Sequence, residues 1–70
     1  MGNANLVADE LHSVGFRTKV LVSNGVEVSL SNRKPSKMEV ETALEQIFDG
    51  IQFQVKSNNQ SVVVSWQARD

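Results

Sequence analysis

The strongest structural signal in the chain lies in residues 36–50, SKMEVETALEQIFDG. Ser36 and Glu39 form a capping-box pattern. In this pattern the Ser36 hydroxyl accepts a hydrogen bond from the Glu39 N–H, and the Glu39 carboxylate accepts one from the Ser36 N–H. The apolar residues that follow recur at the spacing of one buried helical stripe: Val40, Ala43, Leu44, Ile47 and Phe48. Gly50 comes after the stripe, where a glycine in the left-handed conformation ends a helix. The pattern predicts an amphipathic helix.

A weaker pattern of the same kind predicts a first helix over residues 5–14. Four apolar side chains fall within one arc of its helical wheel: Leu6, Val7, Leu11 and Val14. Asn3 or Asn5 can cap the start of this helix, because its side chain can accept a hydrogen bond from a free backbone N–H. Gly15 can end the helix in the left-handed conformation.

Each predicted helix is followed by two alternating runs that indicate a β-hairpin. In the first hairpin the apolar positions are Phe16, Thr18, Val20 and Val22, then Val26, Val28 and Leu30. A two-residue turn would place these two sets on opposite faces, because side chains alternate with a period of two. We therefore expect a three-residue loop over residues 23–25, with Gly25 left-handed in a bulge and Val22 facing Val26.

The second hairpin brings its apolar positions together with a shorter turn. These positions are Ile51, Phe53 and Val55, then Val62, Val64 and Trp66. A two-residue turn at Asn58 and Asn59 pairs Val55 with Val62, and asparagine tolerates the positive φ that a type I′ turn requires.

The pattern predicts an α+β fold with the order αββαββ, in which residues 1–70 form one small domain. We expect a single, mostly antiparallel four-stranded sheet with both helices on one face. The strand order stays open. The connection through the second helix can place the second and third strands side by side and parallel.

Composition excludes several classes of protein. The chain has 70 residues, no cysteine, one histidine and a formal net charge of −1. It therefore has no disulfide framework or thiolate metal site, and no apolar run approaches membrane-spanning length. His12 lies opposite the apolar arc of the first helix and should face water. We expect no metal, no cofactor, no catalytic site and no membrane contact, and the absence of cysteine fits the cytoplasm.

The acidic residues cluster on the predicted helices. Glu41, Glu45 and Asp49 follow each other at i, i+4 and i+8, and Met38 lies on the same side. Like charges at this spacing destabilise a helix, so these four residues are our candidates for binding a basic protein surface. Alternatively, they are a solvated face or pair internally with Arg33 or Lys34.

The basic residues lie on the predicted strands and in the loop before the second helix. They are the candidates for nucleic-acid contact: Arg17, Lys19, Arg33, Lys34 and Lys56. The aromatic residues have the parity of the core face, so the open face carries no ring for stacking on bases. Phosphate contacts alone would give weak, backbone-directed binding.

These observations favour a small non-enzymatic protein-binding module that acts as a regulator, inhibitor or adaptor by occupying a surface of its target. Chains of about this size are common among accessory proteins of viruses and mobile elements. The alternative is weak nucleic-acid binding through the open sheet face. Self-association is a further form of the first hypothesis, because an acidic face and a basic face on one body can pair.

Overall fold

The computed structural model describes residues 4–67 and has the predicted αββαββ order. Its elements are α1 (Ala4–Ser13), β1 (Arg17–Val22), β2 (Gly25–Ser29), α2 (Lys37–Ile47), β3 (Phe53–Ser57) and β4 (Val62–Trp66). The four strands form one antiparallel sheet, and both helices pack on the same face of it. The predicted α+β fold class is therefore confirmed.

The strands lie in the order β1-β2-β4-β3. β2 pairs with β4, so the second and third strands are not the adjacent parallel pair that the connection through the second helix allowed. β4 lies between them and is antiparallel to both. The two inner strands thus come from different halves of the chain, and β1 and β3 are the edges.

The buried face of α1 differs from the predicted arc. It consists of Ala4, Val7, Ala8 and Leu11. Leu6 is 52% exposed and Val14 is 54% exposed, so their predicted burial was wrong. The small alanine side chains let the helix backbone approach the sheet, where the Thr18 hydroxyl donates to the Ala8 carbonyl at 3.2 Å.

The ends of α1 match the predicted signals only in part. Asn5 lies inside the helix and does not cap it, whereas Asn3 lies outside the described residues. At the other end, Gly15 has the predicted positive φ, +106°. The N–H groups of Gly15 and Phe16 donate to the carbonyls of His12 and Leu11, the bonding pattern of a Schellman motif.

The predicted capping box starts α2, with both of its hydrogen bonds present. The helix ends sooner than the apolar stripe suggested, because Phe48 is already extended and forms the C-cap. Gly50 has the predicted left-handed φ of +80°, two residues beyond the cap. Asp49 therefore lies in the turn after the helix and not on it.

The first hairpin brings its apolar faces together by a bulge instead of a three-residue loop. Val20 pairs with Val26 and Val22 pairs with Gly25, so Leu21 has no partner of its own. The predicted pairing of Val22 with Val26 was wrong, and Gly25 is not left-handed. A bulge adds one residue to one strand, which restores the same parity that a longer loop would have provided.

The bulge also turns Val22 to the sheet face away from the helices. A methyl group built on Gly25 would lie 2.9 Å from Cγ2 of Val22, so this side chain covers the glycine. Val22 is 58% exposed, and the expectation that it joins the core was wrong.

The second hairpin has a longer loop than predicted. Val55 pairs with Val64 and Phe53 with Trp66, which shifts the register by two residues and leaves Ile51 before the strand, exposed. Within residues 4–67 positive φ occurs only at glycines, so the type I′ turn at Asn58 and Asn59 was wrong. A loop over residues 58–61 avoids the strain that two left-handed asparagines would carry.

The core lies between the helices and the inner strands. Its fully buried side chains come from α1, α2, β2 and β4: Leu11, Val26, Val28, Val40, Leu44, Val62 and Val64. The aromatic rings of Phe16, Phe53 and Trp66 pack against it on the helix side, as their parity predicted. In residues 4–67 no helix is long and apolar enough to cross a membrane.

Candidate protein-binding surface

The outward face of α2 presents the residues predicted to bind a partner. The capping box fixes where the helix starts, and Val40 and Leu44 turn its opposite face into the core. Met38 is therefore 74% exposed, with Glu41 and Glu45 exposed beside it. Asp49 is exposed in the turn beyond the helix. We call Met38, Glu41, Glu45 and Asp49 the α2 surface.

The carboxylates of the α2 surface have no cationic partner among residues 4–67. The ion pair found there joins Arg33 to Glu39, whose nitrogen and oxygen lie 3.0 Å apart. The predicted alternative, internal pairing of this surface with Arg33 or Lys34, is therefore wrong for the described residues. Lys37 is exposed in the first turn of α2 and is the cation nearest to these residues along the helix.

A shallow groove of about 450 Å³ borders the α2 surface on the side of α1. Its apolar lining comes from Val14, Phe16, Met38 and Ala43, and its polar lining includes Thr42. Met38 thus lies at the junction between an apolar groove and the acidic side of the helix. An amphipathic partner could bury an apolar side chain in the groove and place basic side chains over Glu41 and Glu45.

Two of the five predicted nucleic-acid residues are engaged in hydrogen bonds within the protein. Arg33 donates two hydrogen bonds to the Glu39 carboxylate, at 3.0 and 3.2 Å. This bonding, together with the Ser36 N–H, lowers the pKa of Glu39 below its ordinary value. Lys34 donates from Nζ to Oγ of Ser57 and to the carbonyl of Asn58, both at 2.7 Å. Lys34 thus ties the loop before α2 to the second hairpin.

The other three predicted residues, Arg17, Lys19 and Lys56, are exposed on β1 and β3. They share the open sheet face, but Glu27 lies between the two lysines. Lys19 faces Glu27, Glu27 faces Val63, and Val63 faces Lys56, so the four form one row across the sheet. The Glu27 carboxylate is held there by Oγ of Ser61 at 3.0 Å. A fixed carboxylate in this row opposes phosphate binding.

The open face also carries an apolar patch that the sequence reasoning did not single out. Leu21 and Val22, 45% and 58% exposed, lie at its β1 end. We call Leu21 and Val22 the β1 patch. The signal that could have revealed it was the run Val20-Leu21-Val22, which breaks the strict alternation of a half-buried strand.

Among residues 4–67 no group of three or more His, Cys, Asp or Glu side chains is placed to hold a metal ion. His12 is exposed, as predicted. No protein-family model, curated protein or solved structure matches the chain.

Proposed function

We propose that this protein is a non-enzymatic binding module whose α2 surface docks on a basic protein surface. The observation that carries the proposal is Met38, a large apolar side chain 74% exposed beside carboxylates without an ion-pair partner in residues 4–67. An exposed apolar side chain at the edge of a groove supplies burial, and the charges supply orientation and rate of encounter. Such a module acts as a regulator, inhibitor or adaptor.

The spacing of the acidic residues supports a binding role over a purely structural one. Glu41 and Glu45 are like charges at i and i+4, an arrangement that costs about 0.2–0.5 kcal/mol in a helix. Lysine at either position would remove this cost, so the acidic pair is better explained by what it binds than by what it stabilises. We also propose that the module acts in a reducing compartment such as the cytoplasm, with which a chain without cysteine is compatible.

The test is affinity capture with the wild type, Glu45→Lys and the matched control Asp9→Lys. Asp9 is an exposed carboxylate on α1, outside the α2 surface, so both variants change the net charge equally. We expect the wild type and Asp9→Lys to capture a partner that Glu45→Lys does not retain. Mass spectrometry identifies this partner. If all three proteins capture the same set, the α2 surface is not the docking site.

Backbone-directed nucleic-acid binding is the second candidate, supported by the three exposed cations Arg17, Lys19 and Lys56. It is the weaker candidate, because Glu27 lies between Lys19 and Lys56 and because Arg33 and Lys34 are engaged in hydrogen bonds within the protein. Nucleic-acid binding predicts a mobility shift on single- or double-stranded nucleic acid at low salt, and this shift should disappear steeply as salt is added. We expect no such shift.

A further inference from the structure

The open face of the sheet has no second layer in the described residues, and its two kinds of surface are clearly separated. The β1 patch lies at one end, where Gly25 contributes no side chain beside it. Arg17, Lys19 and Lys56 are spread across the face, with Glu27 as the one acidic residue on the described strands. The face is therefore net positive, with an exposed apolar end.

The α2 surface has the opposite charge and a similar apolar element. It offers Met38 beside Glu41 and Glu45, with Asp49 beyond them, and Lys37 is the one cation within α2 itself. The dimensions also agree. The 11 residues of α2 span about 16 Å at 1.5 Å per residue, and the outer strands of a four-stranded sheet are about 14 Å apart.

We propose that the open sheet face binds the α2 surface of a second copy of this chain. In this head-to-tail contact, Met38 of one copy packs on the β1 patch of the next. The carboxylates of Glu41 and Glu45 then face the cations of the sheet. The inference rests on the proposed function of the α2 surface and names this chain itself as its basic partner.

The contact is heterologous, since different surfaces of the two copies meet. Each added copy leaves one free α2 surface and one free sheet face, so the assembly grows as a chain or closes as a ring. Because opposite charges contribute to it, association weakens as salt screens them. Pairing between β1 edges, in contrast, would depend on backbone hydrogen bonds and stop at two copies.

The experiment uses two charge-reversed variants that lose opposite halves of the contact. Glu41→Lys/Glu45→Lys makes the α2 surface basic, and Arg17→Glu/Lys56→Glu makes the sheet face acidic. Arg17 and Lys56 pair with Ser29 and Val63, so their reversal places no carboxylate directly opposite Glu27. Circular dichroism checks that each variant keeps its fold, and Lys56→Gln is a milder sheet variant.

Sedimentation equilibrium at low salt then measures the weight-average mass. We expect the wild type to exceed the chain mass of 7.7 kDa increasingly with concentration. Each reversed variant alone should stay at the chain mass, and Lys56→Gln should associate more weakly than the wild type. An equimolar mixture of the two reversed variants should associate again. The mixture restores opposite charges in both contacts.

Three results would overturn the inference. The wild type could stay at the chain mass up to about 1 mM, the reversed variants could associate like the wild type, or their mixture could fail to associate. If the wild type stays at the chain mass while Glu45→Lys still loses a captured partner, the inference fails and the proposed function stands.

Discussion

Gly25 is required at its position by the side chain of Val22 and not by its own backbone angles. Its φ is not positive, so any L-residue could adopt its conformation. A methyl group there would lie only 2.9 Å from Cγ2 of Val22, closer than carbon atoms normally approach. The β-branched Val22 has few rotamers with which to move away.

We predict that the effect of Gly25→Ala changes sign with the residue at position 22. In the wild type the contact should cost about 1 kcal/mol of unfolding free energy, as overpacking does. In a Val22→Ala background it should stabilise by about 0.5 kcal/mol, because alanine restricts the unfolded chain more than glycine does. Urea denaturation of the four proteins measures both effects. A loss of equal size in both backgrounds would show that Val22 is not the cause.

The Arg33–Glu39 pair makes the start of α2 sensitive to pH. The folded protein lowers the pKa of Glu39, chiefly through the hydrogen bonds from Arg33 and then through the Ser36 N–H. A lowered pKa means that the ionised carboxylate stabilises the fold. This contribution is fully present above the ordinary pKa of 4.5 and is lost as the pH falls through the lower folded value.

We predict that Glu39→Gln lowers the melting temperature at pH 7 and that the difference from wild type closes as the pH approaches 2. Glutamine keeps the capping role at this position, so the comparison isolates the ionised group. Thermal unfolding followed by circular dichroism across this range is the measurement. A difference that persists unchanged at low pH would assign the effect to packing instead of charge.

Residue-level signals predicted the caps better than the turns. Ser36 and Glu39 act within four residues of each other, so their geometry depends little on the rest of the fold. The preference of Asn58 and Asn59 for positive φ is weak by comparison. Lys34, from 24 residues away, holds the loop that replaced their predicted turn.

At the scale of elements, α2 combines a well-formed start with an unfavourable outer face. Glu45→Lys removes its repulsion with Glu41 and creates a Glu–Lys pair at i and i+4 in the better orientation. We predict a stabilisation of about 0.5 kcal/mol, or a rise in melting temperature of about 2–4 °C. Differential scanning calorimetry checks it. No rise would mean that the acidic residues do not repel each other measurably.

The buried face of a helix could be predicted from the sequence where large apolar side chains mark it. The stripe of α2 was predicted correctly because large side chains mark it. The face of α1 was not, because Ala4 and Ala8 define it and small residues contribute little to an apolar arc. The spacing of Ala4, Val7, Ala8 and Leu11 at i, i+3, i+4 and i+7 was nevertheless present.

At the scale of the whole molecule, the sequence predicted which side chains lie on each face of the sheet except at Val22, whereas it left the strand order open. Which side chains of a strand share a face follows from which ones must be buried. A bulge or a longer loop can bring the apolar sides of two strands onto the same face equally well. Strand order depends on long-range pairing that alternation does not encode. Of the candidate sites, the α2 surface could be predicted from charge spacing, whereas the β1 patch depends on a bulge that only the fold reveals.

Because β2 pairs with β4 at the centre of the sheet, the two halves of the chain depend on each other to fold. Residues 25–28 meet residues 62–65, so the middle of the sheet assembles only after most of the polypeptide has been brought together. Cut between its halves, each αββ piece would hold a hairpin whose inner strand lacks its neighbour. A topology of such high contact order folds more slowly than a simple meander of the same length, since distant segments must find each other before the gain from pairing begins.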